Sequence, residues 1–283
     1  MNKTKNTEIR GTDGTVIPAV FTGERTQKTV LVAHGICGDK NEWYDTSARI
    51  AEKLGERGIA CLRIDFRGHG DSAEPLSSFT PSTQLADMES AYALLCAGGA
   101  REVIPLGISF GAPAAIRLTA AHPGGIRRCV LIAPVTDYRR SLLEPETDWG
   151  KEVFRETPGE DGRPVFRLAE DYILGSALCR EIRETDVSAV IRSVSERNRR
   201  KAAGDPEAVP EQQFLIFQGE KDPKVAFAGS EELAALYPET VKLIPLPETA
   251  HGLTAVGDED FTAVRTLANL ERLIGEICGE GRC

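Results

Sequence analysis

A chain of 283 residues, 41% hydrophobic and 27% charged, can bury a full core in one large domain or two small ones, and its composition excludes disordered and collagen-like classes. A formal charge of -9 argues against a phosphate-backbone partner, which clustered Lys and Arg would have to neutralise, so no nucleic acid is expected. The polar N-terminus, the lack of any apolar run near the roughly 20 residues that span a bilayer, and seven scattered cysteines without a CxxC pair or zinc-like spacing point to a cytoplasmic protein with reduced thiols, no membrane span and no metal site.

In chain order, residues Thr7 to Phe21 read as an antiparallel hairpin around Gly11-Thr12-Asp13-Gly14. Lys28 to Ala33 is a short apolar strand, and Trp43 to Glu56 carries helical spacing through Ile50, Ala51 and Leu54. The alternation continues with strand Ile59 to Phe66, helix Pro81 to Ala97, strand Glu102 to Leu106, helix Gly111 to Ala121 and strand Ile126 to Ile132. Short apolar strands alternating with amphipathic helices imply an α/β fold built on a mostly parallel sheet with helices on both faces. After a gap the pattern resumes with strands Gln213 to Gln218 and Val241 to Leu246 and a final helix, Phe261 to Ile277.

The gap, roughly Pro134 to Gln212, is too long for a structureless connection and reads as an inserted helical cap. Residues 1–133 and 213–283 then form the core domain, and 134–212 the cap or lid. Within it, Val165 to Leu174 and Asp186 to Arg200 read as helices, and the Pro-, Gly- and acid-rich Glu144 to Pro164 as a loop or mobile lid segment. The basic run Arg192, Arg197, Arg199, Arg200, Lys201 is interrupted by Glu196 and reads as a solvated helix face, with contact to an anionic substrate the lesser reading.

The sharpest local signal is Gly107-Ile108-Ser109-Phe110-Gly111, a G-x-S-x-G directly after a strand and before a helix. That context puts Ser109 on a tight, strained turn, where Gly107, Gly111 and Ala112 leave room for the chain to pass. The helix N-terminus favours developing negative charge, and the Phe110 N–H can donate to an oxyanion. A serine hydroxyl needs a base and the base needs an orienting acid, expected in the order Ser, acid, His. Asp222 lies on the loop after strand Gln213 to Gln218, and His251 follows the next strand, both at the C-terminal sheet edge where α/β sheets place their sites. Glu220 and Asp137 compete with Asp222 for the acid, and Asp65, which precedes the serine, is less suitable. Of the other histidines, His34 is expected to structure the oxyanion loop, His69 to brace neighbouring loops and His122 to end a helix favourably for its dipole. The second oxyanion donor is expected to be the Ile36 N–H, and Cys37 a small packed residue.

Taken together, His34-Gly35, Asp65-Phe66-Arg67-Gly68-His69-Gly70-Asp71-Ser72, Gly107 to Gly111, Gly219 to Val225 and Ala250-His251-Gly252 resemble the α/β-hydrolase superfamily over nearly the whole chain. The loop His34 to Lys40 is similar to that of the cinnamoyl or feruloyl esterases and of the serine aminopeptidase-like (S33-type) esterases and lipases. The resemblance implies an eight-stranded sheet whose second strand is antiparallel, a cap after the sixth strand, and acyl-enzyme chemistry without a cofactor. Ile108, where many relatives have His, and Phe110, where relatives often have Met or Gln, depart from the pattern.

The expected activity is hydrolysis of a small-molecule carboxylic ester, of a medium-chain or aromatic acid, by a Ser-His-Asp triad. Phe154, Phe166, Tyr172 and Leu174 of the cap are expected either to line an acyl or aryl site or to pack the cap on the sheet. A thioesterase, or an amidase or peptidase such as a proline iminopeptidase, could use the same triad; for the latter, Glu144, Glu146 and Asp148 would bind a free amine. A hydrolase-fold ligand receptor is the non-enzyme alternative. A homodimer stays open.

Overall fold

Side chains on Lys28–Ala33, β3, alternate between two core clusters: Leu31 and Ala33 belong to one, Val30 and Val32 to the other. Both faces of this strand are therefore covered, which is why it appears in the sequence as a continuous apolar run. The computed structural model describes residues 3–24, 27–206 and 209–279. With β3, the strands β1 (Thr4–Arg10), β2 (Val16–Thr22), β4 (Ala60–Ile64), β5 (Glu102–Ile108), β6 (Arg128–Ile132), β10 (Gln213–Gly219) and β11 (Val241–Leu246) form an eight-stranded sheet in the order β1-β2-β4-β3-β5-β6-β10-β11. Only β2 breaks the parallel pattern, running antiparallel to both β1 and β4.

The hairpin is longer than the sequence reading, pairing Thr4 with Thr22. Helices α2 (Pro81–Ala97) and α3 (Ala112–Ala121) bury residues in one cluster, while α1 (Thr46–Glu56) and α8 (Val264–Cys278) bury theirs in the other. Helix α8 does so through Leu270, Leu273, Ile274 and Ile277, a spacing of three and four that makes one apolar stripe. Each such side chain taken fully out of water contributes about 1.5–3 kcal/mol before entropy is counted.

Two helix starts differ from their sequence boundaries for local reasons. Trp43–Asp45 is a separate 3-10 turn rather than the first turn of α1, because Tyr44 (φ 58°) and Asp45 (φ 54°) are left-handed. At the other end of the chain Phe261 is also left-handed (φ 62°), and Asp258 accepts the Thr262 and Ala263 N–H groups, so α8 begins only at Val264.

Among the described residues between β6 and β10, none joins the main sheet. This segment holds α4 (Asp148–Val153), a small antiparallel sheet of β7 (Glu156–Pro158), β8 (Pro164–Arg167) and β9 (Ile173–Leu174), and helices α5 (Ser176–Glu184) and α6 (Val187–Ala202). The helix expected over Val165 to Leu174 is thus two strands. Phe166 pairs with both Glu156 and Leu174, and this pairing outweighs a local apolar spacing that fits either period. Glu144 to Pro164 is likewise more ordered than expected, holding α4 and β7. The basic run lies on α6, where Arg199 pairs with Glu239 and Arg200 with Asp205. Helix α7 (Phe227–Leu236) bridges β10 and β11.

The six described cysteines are unpaired; Cys283 lies outside the described residues. Among the described residues no helix is long and apolar enough to cross a membrane, and no group of three or more His, Cys, Asp and Glu is placed to hold a metal ion.

Candidate active site

Ser109 sits where β5 ends and α3 begins, on a single 3-10 turn, with φ at 50°. A non-glycine residue held there costs on the order of 1–3 kcal/mol, so the surroundings must enforce it. They do so by close approach. A Cβ on Gly107 would lie 2.6 Å from the Ala112 Cα, and one on Gly111 would run into the Ala33 and His34 carbonyls. The Ser109 carbonyl accepts the Val135 N–H at 3.0 Å, tying the turn to the exit of β6.

Asp222 and His251 come from the loops after β10 and β11. Those loops touch because Gly219 has no side chain: a Cβ there would meet the Thr249 and Ala250 carbonyls. The Asp222 carboxylate is fully buried and lies 3.0 and 2.9 Å from His251 Nδ1. Its Oδ1 also accepts the Lys224 and Val225 N–H groups, and its Oδ2 the Gln218 amide at 2.9 Å. Gln218 is oriented in turn by donating to the Val225 carbonyl and accepting from Ser230 Oγ. With an acceptor-only carboxylate beside it, Nδ1 carries the proton and Nε2 is the free base. The His251 side chain is 19% exposed and lines the same cavity as Ser109.

The competing acids are engaged elsewhere. Asp65 is fully buried against Lys40 at 2.7 Å and accepts the Lys40 and Asp71 N–H groups. Asp137 accepts the Arg139 and Arg140 N–H groups, and Glu220 is exposed.

The loop after β3 carries the expected second oxyanion donor, Ile36, which lines this cavity together with Phe110. Two side chains hold the loop. His34 donates from Nδ1 to the Gly35 carbonyl and accepts the Phe66 N–H at Nε2, and complete burial depresses it to about 3, so it stays neutral. Glu42, which sequence reasoning missed, accepts the Gly35 N–H and the Trp43 N–H. Desolvation pushes its carboxyl above the ordinary range while those two donors pull it back. Its one signal in the sequence is the spacing Gly35, Gly38, Glu42: a Cβ on Gly38 would lie 3.1 Å from the carboxylate.

His69 and Tyr172 supply a further tie, from the segment between β6 and β10. His69 Nδ1 faces the Arg67 carbonyl, so Nε2 accepts the Tyr172 hydroxyl at 2.6 Å, and that oxygen accepts the Cys37 N–H at 3.0 Å. Cys37 itself is exposed and left-handed (φ 61°), not the packed residue expected. His122 lies at the end of α3 and meets Glu89 at 2.6 Å.

The cavity enclosed by these loops measures about 320 Å³, and its wall is largely apolar, including Ile36, Ile108, Ile132, Leu142, Trp149, Phe154 and Leu168. Of the four residues expected from the cap, only Phe154 reaches this wall; Phe166 and Leu174 are fully buried in the core cluster, and Tyr172 makes the contacts just described. The Phe110 ring packs at tilted angles against Phe79 and Tyr138. The acidic trio meets arginine and lysine, Glu144 on Arg139, Glu146 on Arg140 and Asp148 on Lys151, and none of the three lines the cavity.

A model of the alpha/beta hydrolase family matches residues 30–265, from β3 into α8. The chain belongs to the α/β-hydrolase family. Among solved structures with this fold, Est1E from Butyrivibrio proteoclasticus with ferulic acid bound superposes at a TM-score of 0.70 and 18% identity, covering 96% of this chain and 98% of that one. The Pyrococcus furiosus esterase Pf2001 gives 0.65 at 16% identity, with 99% and 91% covered. A 71-residue stretch is 38% identical to the uncharacterised protein YDL057W of Saccharomyces cerevisiae, and the chain spans about a fifth of that relative's length, 21%.

Proposed function

We propose that this α/β hydrolase is a carboxylic ester hydrolase that works through an acyl-enzyme on Ser109. His251 Nε2 takes the serine proton during attack, passes it to the leaving alcohol, and then activates water for deacylation. Asp222 holds the tautomer and stabilises the imidazolium. The Ile36 and Phe110 N–H groups receive the oxyanion, aided by the N-terminus of α3. The segment 134–212 acts as a cap whose Trp149, Phe154 and Leu168 complete the acyl or aryl wall.

The observation that carries this reading is the buried Asp222–His251 pair opening on the cavity that the strained Ser109 also lines. The apolar wall and the cavity volume suit a medium-chain or aromatic acyl group, near the lower end of small-molecule pockets. An aromatic acyl group is in keeping with Est1E, whose structure holds ferulic acid. A proline iminopeptidase-like reading loses its support, because the acidic trio that would bind a free amine is already paired. Ser109→Ala should lower hydrolysis of p-nitrophenyl butyrate by several orders of magnitude; wild-type rates in the variant would overturn the assignment.

A further inference from the structure

One cation on the cavity wall has no part in the proposed proton transfers. Lys224 lies two residues beyond Asp222, half-buried, with its ammonium 5.2 Å from the centre of the Trp149 ring and 5.8 Å from that of Trp43. These are the chain's two tryptophans, one from the loop after β3 and one from α4. Among the described residues no carboxylate lies within ion-pair distance of this ammonium and no acceptor bonds to it, whereas Arg139, Arg140 and Lys151 nearby in sequence to Trp149 all have acidic partners. Ring faces attract a cation but leave its hydrogen-bonding capacity unused. All three residues line the cavity that contains Ser109.

We infer that Lys224, held between Trp43 and Trp149, is an anion subsite, and that the preferred substrates are esters carrying a free carboxylate, with flat or aliphatic matter between it and the scissile bond packing on the indoles. This deepens the ester-hydrolase reading and rests on it. A charged hydrogen bond in a partly dry cavity is stronger than a neutral one, enough for about a tenfold preference. The other titratable groups on that wall are Glu42, Cys37 and Tyr44, on the chain between β3 and α1, and His251 of the candidate triad. A carboxylate at Lys224 is therefore directed to the one fixed positive charge available.

The test compares 4-nitrophenyl hydrogen adipate with its neutral methyl ester, and 4-carboxyphenyl butyrate with the corresponding methyl ester, in wild type and in Lys224→Met. The subsite predicts that at least one carboxylate ester exceeds its neutral partner in kcat/KM by about tenfold, and that K224M removes this preference by lowering the carboxylate ester about tenfold more than its neutral partner. Because both tryptophans flank the ammonium, titrating Ser109→Ala protein with the preferred carboxylate ester should change its intrinsic fluorescence, and the S109A/K224M double variant should show no such change. Neutral esters turned over with no carboxylate preference would overturn the subsite while leaving the hydrolase reading intact. An equal fall on charged and neutral esters in K224M would mean a mere clasp between loop and cap, and would also overturn it. No turnover of any of the four, with no fluorescence change, would remove both readings.

Discussion

Replacing Asp222 by Asn keeps the shape of the acid and changes one group from acceptor to donor. Oδ1 accepts two backbone N–H groups, from Lys224 and Val225, so the amide oxygen must remain there. The amide nitrogen then takes the place of Oδ2, facing His251 Nδ1 at 2.9 Å and the Gln218 amide at 2.9 Å. Nδ1 can meet that N–H only as an acceptor, and Oδ1, 3.0 Å from Nδ1 but already accepting two backbone N–H groups, competes poorly for the ring proton. The proton therefore moves to Nε2, and the base that would take the serine proton is lost. Gln218 cannot turn over to help, because its own amide donates to Val225 and accepts from Ser230. The cost in rate is then about three to four orders of magnitude, or roughly 4–5 kcal/mol at 1.36 kcal/mol per decade. Two donors facing each other should also cost about 1–3 kcal/mol of stability. Steady-state kcat with p-nitrophenyl butyrate and a urea unfolding curve measure the two effects. A D222N enzyme within tenfold of wild type would refute the reasoning.

Two other outcomes follow from the oxyanion loop. Glu42→Ala removes the acceptor for the Gly35 N–H and should lower kcat about ten- to a hundredfold, whereas Glu42→Gln, which still accepts, should retain most of the rate; equal losses in the two would mean that charge and not the acceptor matters. His34 gives a pH dependence. Its folded pKa is depressed from 6.5 to about 3, so between those values the unfolded chain binds a proton that the folded chain does not, and stability falls as pH falls through that window. The full loss is about 4–5 kcal/mol, to be read as a steeper decline in urea stability between pH 7 and 4 for wild type than for His34→Gln; parallel curves would contradict it.

The strands of the parallel sheet were legible because burial on both faces writes itself as apolar runs such as Lys28–Ala33 and Gln213–Gly219. Ser109, Asp222 and His251 were legible for a related reason: each follows the end of a strand, so their order alone places them on one edge. The small sheet was not, since Val165 to Leu174 forms two strands only because Phe166 pairs with Glu156 on one side and Leu174 on the other, a choice that its apolar spacing does not encode. The same holds for the grouping of Trp43, Trp149 and Lys224, drawn from three distant loops and helices, and for Tyr172 reaching Cys37 across 135 positions. Glu42 was hidden differently, being a single glutamate in an ordinary polar loop whose value lies in the two backbone N–H groups it accepts.

The most direct measurement of the central claim is the mass of a covalent adduct. Native wild-type protein treated with a fluorophosphonate should gain one adduct that maps by peptide mass spectrometry to Ser109, and heat-denatured protein or Ser109→Ala should gain none. Native protein that stays unlabelled, or an adduct on another residue with Ser109 free, would contradict the account.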